Sequence, residues 1–206
     1  MKQTLFAAAV SAVVAASVVS LSADDESGFV PLFNGKDTAG WHLRKKDGHN
    51  SWTIDHGVLK NTVNKGEHGT DLVTDKKFWN FTVRYEFQVP DGSNSGFYLR
   101  GRHEIQILGD YKSGKPGKSG NGAIYNQTAP SEFASKPAGE WQTAEATIIG
   151  NKITLFLNGK KVHDNVVCDV ATGSEIDKNV KEPGPIFLQG DHGTVSFRNM
   201  RIKELK

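Results

Sequence analysis

The chain has 206 residues, with 25 Lys and Arg against 23 Asp and Glu. That balance gives no field to draw nucleic acid or an acidic membrane surface. Cys168 is the only cysteine, so no intrachain disulfide can form, and 22 Gly with 11 Phe and 4 Trp suit short strands and turns rather than helices.

One basic residue, Lys2, precedes an uncharged Ala- and Val-rich run from Leu5 to Leu21, and Asp24-Asp25-Glu26 follows. This is the pattern of a secretory signal peptide, residues 1–23, cleaved near Ala23. A span of about 20 strongly apolar residues would be needed for a membrane anchor, and this run is largely Ala and Ser. The expected mature protein is exported to the periplasm or secreted, and is one domain over residues 24–206. Without Lys2 the formal charge falls from +2 to +1.

Phe29 to Gly35 is a short apolar run ending in a turn. Trp52 to Lys60 reads as a hairpin about His56-Gly57. Leu72-Val73-Thr74 is a brief strand. From Phe81 to Val89, Phe81, Val83, Tyr85, Phe87 and Val89 alternate with Thr82, Arg84, Glu86 and Gln88, so one face meets a core. Residues 96–100 and 103–108 form two more strands about an Arg-Gly-Arg corner. Alternation sends His103, Ile105 and Ile107 to one side and Glu104, Gln106 and Leu108 to the other. Ala123-Ile124-Tyr125 is expected as a short strand. Trp141 to Val167 makes two hairpins at Gly150-Asn151 and Asn158-Gly159, and a loop from Val170 to Pro185 leads to strands at residues 186–189 and 194–205. Strands at intervals of about 8–12 residues mean an all-β sandwich or barrel, with Val83, Tyr85, Phe87, Ile153, Leu155 and Leu157 in its core.

Glu104 and Gln106 interrupt an aliphatic run. They belong either to an outer polar face or to a site, with Arg100 and Arg102 near enough to pair with Glu104 or a polyhydroxylated ligand. A conventional glycosidase needs two carboxyl groups flanking the bond. The strand face of Glu104 continues with Gln106 and Leu108; Asp110 and Glu145 fit poorly as the second. Gly109 and Gly114-Lys115 have phosphate-loop spacing, but Pro116 stands where a magnesium-binding Ser or Thr belongs and no helix pattern follows. His42, His49 and His56 recur every seven residues without a helix to carry them. His192 sits in a tight turn between strands, where a rim imidazole titrates near neutrality. Trp141 is either a sugar-stacking platform or a core aromatic.

The order Leu32-Phe33-Asn34-Gly35, Asn94-Ser95-Gly96-Phe97-Tyr98-Leu99-Arg100, His103-Glu104-Ile105-Gln106-Ile107, Gly122-Ala123-Ile124-Tyr125, Gly139-Glu140-Trp141-Gln142, Gly184-Pro185-Ile186-Phe187-Leu188-Gln189 and His192-Gly193 resembles the 3-keto-disaccharide hydrolase domain family, across about Phe29 to Leu205. Two departures stand out: His103 where the family often has Tyr, and Gly190 between Gln189 and Asp191-His192. The resemblance implies an all-β, two-sheet antiparallel jelly-roll sandwich of the concanavalin A-like lectin/glucanase type. It also implies a carbohydrate partner and action on glycosides oxidised to a ketone at carbon 3. Such a ketone acidifies the carbon-2 proton, so one base and something positive or hydrogen-bonding at the oxyanion suffice. Glu104 is the expected base, with His192 next. Arg100, Arg102 and Gln106 are expected to hold hydroxyls or the oxyanion, and Asp110, Tyr125 and Trp141 complete the expected binding set. A divalent cation is the alternative oxyanion partner, and no ligand cluster in the sequence decides it. An endoglucanase-like paired-carboxylate enzyme and a non-catalytic lectin remain open, and the oligomeric state is not legible.

Overall fold

The computed structural model describes residues 26–64 and 66–206, so the expected signal peptide, residues 1–23, lies outside the described residues. Among the described residues there is no α-helix. The strands in chain order are β1 (Val30–Pro31), β2 (Trp41–Leu43), β3 (Trp52–Asp55), β4 (Val58–Asn61), β5 (Leu72–Phe78), β6 (Phe81–Gln88) and β7 (Asn94–Leu99). After them come β8 (His103–Leu108), β9 (Gln142–Ile149), β10 (Lys152–Leu157), β11 (Lys160–Val167), β12 (Gly184–Leu188) and β13 (Val195–Glu204). One sheet runs β11-β10-β9-β6-β13-β4-β3, with β1 also paired to β13; the other runs β2-β5-β12-β7-β8. Every pairing is antiparallel.

The period of two in β6 does what it foretold. Val83, Tyr85 and Phe87 are buried with Ile153, Leu155 and Leu157 of β10, and they meet Phe97, Leu99, Ile105, Ile107 and Leu188 of the second sheet. Tyr85 stacks on Phe97 across the sandwich with ring centroids 4.0 Å apart. Burying one such side chain contributes roughly 1.5–3 kcal/mol, and the packed layer holds the fold without a disulfide. The hairpin signals fold as their chemistry requires. His56 and Asn158, each before a Gly, take φ of 46° and 52°, the left-handed values of a type I′ turn.

Three elements differ from the sequence reading. Trp41–Leu43 is an edge strand whose three residues are too few to show a period. The brief strand expected at 72–74 continues to Phe78 through an irregularity opposite β12, where Thr74 Oγ1 accepts the Ile186 N–H at 2.9 Å. The expected strand at 123–125 contributes only isolated bridges from Ile124 to Ile105 and Thr128.

Pairing in the second sheet sets the site. Strand β7 lies between β12 and β8, so its inward residues Phe97 and Leu99 build the core while Asn94, Gly96 and Tyr98 face the opposite side. On that outer face Tyr98, Phe187 and Val73 form a second, small apolar cluster.

Candidate functional site

Cross-strand register arranges the outer face of the five-stranded sheet in rows. Tyr98 pairs with Phe187 on one side and Glu104 on the other, and Gly96 pairs with Gln106. On the far side of Gly96, the Gln189 N–H donates to the Gly96 carbonyl at 2.9 Å. The middle row is therefore Gln189–Gly96–Gln106, with a missing side chain at its centre. A Cβ built at Gly96 would collide with Glu104 Oε1. Glycine is needed there because the carboxylate leans over its backbone.

Glu104 is only 4% exposed. Tyr98 Oη donates to its Oε2 at 2.7 Å, and its own backbone N–H donates to Thr172 Oγ1 at 2.9 Å. Desolvation pushes its pKa up to about 7, against the Tyr98 hydrogen bond and the charge of His192, which pull it down. Such a carboxyl exchanges a proton near neutral pH, as a general base must.

The turn Gly190-Asp191-His192-Gly193 closes the site at the Asn94 end. Buried Asn61 donates Nδ2 to the carbonyls of Gly190 and Gly193 at 3.2 and 2.9 Å, and Asp71 Oδ1 accepts the Gly190 N–H at 2.9 Å. His192 Nδ1 lies 2.7 Å from Asp191 Oδ1, and its Nε2 lies 3.1 Å from Asn94 Nδ2. The hydrogen bond to Asp191 raises the imidazole pKa, with Asp71 and Glu104 adding to the effect. The Asp191 carboxyl is correspondingly lowered, first by that same bond. Asp71 is held above its usual range by burial, although Arg44 Nη1 reaches it at 3.3 Å. A cavity of about 320 Å³ beside this cluster is lined by Arg44, Asp71, Ser174, Gln189 and Asp191. Another, of about 680 Å³, reaches His192 from the side of His68 and Asp91. Among the described residues no group of three or more His, Cys, Asp or Glu is arranged to hold a metal ion.

A model of the 3-keto-alpha-glucoside-1,2-lyase-like domain matches residues 28–203. The chain belongs to that family. A 3-keto-disaccharide hydrolase of Bacteroides thetaiotaomicron is 28% identical, with 88% of this chain and 80% of that protein aligned. A solved structure from Parabacteroides distasonis, provisionally assigned as a glycosyl hydrolase, is 31% identical at a TM-score of 0.68, covering 87% of this chain and 84% of the other. A Bacillus licheniformis β-glucanase shares the fold at a TM-score of 0.53 and 13% identity, covering 86% of this chain and 97% of its own. The jelly-roll sandwich is thus the concanavalin A-like one. Membership makes the chain a glycosidase-like hydrolase.

Within this lyase-like domain the residues singled out from sequence separate into two groups. Glu104, Gln106 and His192 share the cleft face, and Tyr125 adjoins them, its N–H donating to the Glu104 carbonyl at 3.1 Å. The other four are committed elsewhere. Arg100 is wholly buried at a φ of 54°; its Nε and Nη1 donate to the Trp79 and Gly150 carbonyls, and its guanidinium stacks on Trp79 at 3.6 Å. Arg102 grips the Asp177 carboxylate through Nε and Nη2 at 2.7 and 3.0 Å and the Glu182 carbonyl at 2.8 Å. The expected pairing of either Arg with Glu104 is therefore replaced: corner residues leave the strand's alternation and turn outward from the row. Their charges fall on core-facing His103 instead, whose pKa burial lowers to about 4. Asp110 is spent on the Asn121 N–H and the Ser135 hydroxyl. Trp141 lies under Arg198 at 4.0 Å, and Arg198 pairs with Glu86, so it sits on the outer face of the opposite sheet. Glu145, weighed as a second carboxylate, is likewise on that face, bonded to Arg84.

Sequence reasoning missed Asn94, Tyr98, Asp71, Gln189 and Asp191. Alternation along β7 does put Asn94, Gly96 and Tyr98 on one face, so that part of the signal was present. Asp71 and Gln189 reach the site only through the pairing of β12 between β5 and β7, which no local pattern announces.

Proposed function

We propose that the protein opens glycosides whose sugar carries a ketone at carbon 3, with Glu104 as the base. The observation that carries this is a buried carboxylate, poised near neutrality and leaning over a side-chain-free glycine, with the His192 imidazole close enough to shift it. Glu104 takes the carbon-2 proton, and the electron pair forms the carbon-1–carbon-2 double bond as the carbon-1–oxygen bond breaks and the departing oxygen takes up a proton. Water then adds its oxygen to carbon 1 while carbon 2 recovers a proton. The Asp191–His192–Asn94 chain supplies the N–H-bearing end of the site for the oxygen that gains charge. The Bacteroides thetaiotaomicron relative, named for 3-keto-disaccharides, supports an oxidised disaccharide as the substrate. The leader pattern at residues 1–23 supports export to the periplasm or beyond, which N-terminal sequencing of protein from the envelope fraction tests.

A second reading has one specific support. Asp71 is a buried carboxyl whose charge is felt at Glu104, so a conventional two-carboxylate glycosidase would have its partner there. Incubating the protein with a glucoside and its 3-keto derivative separates the two. Cleavage of the keto sugar alone is the expected result. Cleavage of the plain sugar overturns it in favour of the carboxylate pair, and binding without cleavage makes the protein a lectin.

A further inference from the structure

We infer that Arg44 is a positioning residue for the reaction, because it locks the segment from Thr172 to Glu175 against the Tyr98–Glu104 pair. This rests on the functional reading above, which makes Glu104 the base. Arg44 follows β2 directly, and its backbone N–H donates to the Asp71 carbonyl at 2.9 Å. Its side chain then fans out to three acceptors. Nη1 donates to the Ser174 carbonyl at 2.8 Å and Nη2 to the Glu175 carbonyl at 2.9 Å, while Nη1 also reaches Asp71 Oδ2 at 3.3 Å. The guanidinium lies over the Phe187 ring, 5.1 Å from its centroid. One planar cation thus ties the sheet to a segment 130 residues further along the chain.

That segment touches the base from two sides. Thr172 Oγ1 accepts the Glu104 N–H at 2.9 Å and donates to the Arg102 carbonyl at 3.2 Å. The Ser174 hydroxyl bonds the Tyr98 oxygen, whose own proton goes to Glu104 Oε2 at 2.7 Å. With a donor already on its oxygen, the phenol keeps its single hydrogen for the carboxylate. Ser174 has a φ of 51°, left-handed backbone that a residue other than glycine adopts at a cost. Such a conformation persists only where its surroundings impose it, and Arg44 grips that residue's own carbonyl.

Charge runs along the same line. The Asp71 carboxylate is felt at Glu104, Tyr98 and His192, and Arg44 is the cation that pairs with it. Lys45 and Asp191 share one cavity with Arg44. On its other side a cavity of about 260 Å³ holds His42, Asp75, Lys77, Arg102 and Asp177. Of these charges Asp191 also acts on Glu104, raising its pKa, while His192 lowers it. Losing Arg44 would remove two supports of the same sign. Asp71 would lose its counter-charge and Tyr98 its donor, and each change disfavours the Glu104 carboxylate.

The test follows Glu104 itself as well as turnover. With its glutamate carboxyls isotopically labelled, the protein is titrated by NMR, the Glu104 signal being recognised by its loss in Glu104→Gln. Rates are taken with a 3-keto-glucoside on the alkaline plateau, where the base is ionised. In Arg44→Met the Glu104 midpoint should rise by about a unit, and kcat should fall about tenfold to a hundredfold with KM little changed. Arg44→Lys keeps a charge for Asp71 but cannot span both carbonyls. It should bring the midpoint back toward wild type and leave kcat low. Ser174→Ala leaves Arg44 and the backbone in place, and should raise the midpoint and lower kcat without lowering the Tm. Full recovery of kcat in Arg44→Lys overturns the positioning role in favour of charge alone. A raised KM with kcat kept makes Arg44 a substrate ligand instead, and unmoved midpoints in Arg44→Met and Ser174→Ala overturn it outright. If the midpoints move as stated while no keto-sugar is cleaved, the positioning stands and the proposed reaction falls. Normal cleavage with unmoved midpoints has the opposite meaning.

Discussion

Replacing Glu104 by Gln should stabilise the fold while abolishing most of the turnover. In the unfolded chain the carboxyl ionises around 4.5, whereas in the fold burial delays this to about 7. A raised acidic pKa means that folding favours the protonated form. The cost is absent below pH 4.5, grows as pH rises, and is complete above 7. Moving from 4.5 to about 7 corresponds to about 3 kcal/mol, carried by a group that is 4% exposed and so little screened by solvent. Gln keeps an oxygen for the Tyr98 hydroxyl and has no charge to desolvate, so most of that cost should be recovered. For a domain of this size it amounts to a rise in Tm of about 6–12 °C at pH 8, shrinking to nothing at pH 4. Turnover of a 3-keto-glucoside should fall by about 10²–10⁴-fold in the same variant. Paired melting curves at the two pH values, with one rate assay, test both halves. A destabilised variant, or a gain equal at pH 4 and pH 8, refutes the buried-carboxylate argument. Near-normal turnover moves the base to another residue.

Removing the phenol in Tyr98→Phe takes away the hydrogen bond that most lowers the Glu104 pKa. The acidic limb of the kcat/KM profile should therefore move to higher pH, by about a unit. Gly96→Ala should collide with Glu104 Oε1, costing about 1–3 kcal/mol of stability by overpacking, with a larger proportional loss of turnover than of stability; denaturant unfolding and initial rates give the two numbers. His103 has both ring nitrogens buried without partners, and its pKa falls from 6.5 to about 4 in the fold. A lowered basic pKa gives stability that is full above pH 6.5 and is lost toward pH 4, up to about 3 kcal/mol. His103→Leu should accordingly gain more stability, relative to wild type, at pH 5 than at pH 8 when the two are unfolded in urea.

The sandwich was legible where a strand has one wet face and one dry one, as in Phe81 to Val89, because a period of two needs that contrast. It was less legible in β5, where an irregular register opposite β12 breaks the alternation, and in β12, which is buried along its whole length. In the site, Glu104, Gln106 and His192 could be singled out as polar residues in places that ask for something else. Arg100 and Arg102 could not be placed from the same pattern, since a left-handed corner at Arg100 ends the alternation on which their directions depended. Trp141 was ambiguous for a different reason. It stands one residue before β9, and only the stack with Arg198 fixes its face. Asp71 and Gln189 are far from Glu104 in the chain and meet it through strand order alone.

The segment between Val170 and Glu182 crosses the end of the cleft and is tied down almost entirely through its main chain. Arg44 holds the carbonyls of Ser174 and Glu175, Arg102 that of Glu182, and Gln127 those of Val170 and Ala171; the Ile176 N–H donates to the Gly101 carbonyl. Among its side chains, Thr172 and Asp177 take part in the fastening. Anchors of this sort are indifferent to what side chains the segment carries, provided its path is kept. Positions such as Glu175, Lys178 and Lys181 are thus free to be exchanged without loosening the crossing, so the surface this segment presents can change while the fold beneath it stays as it is.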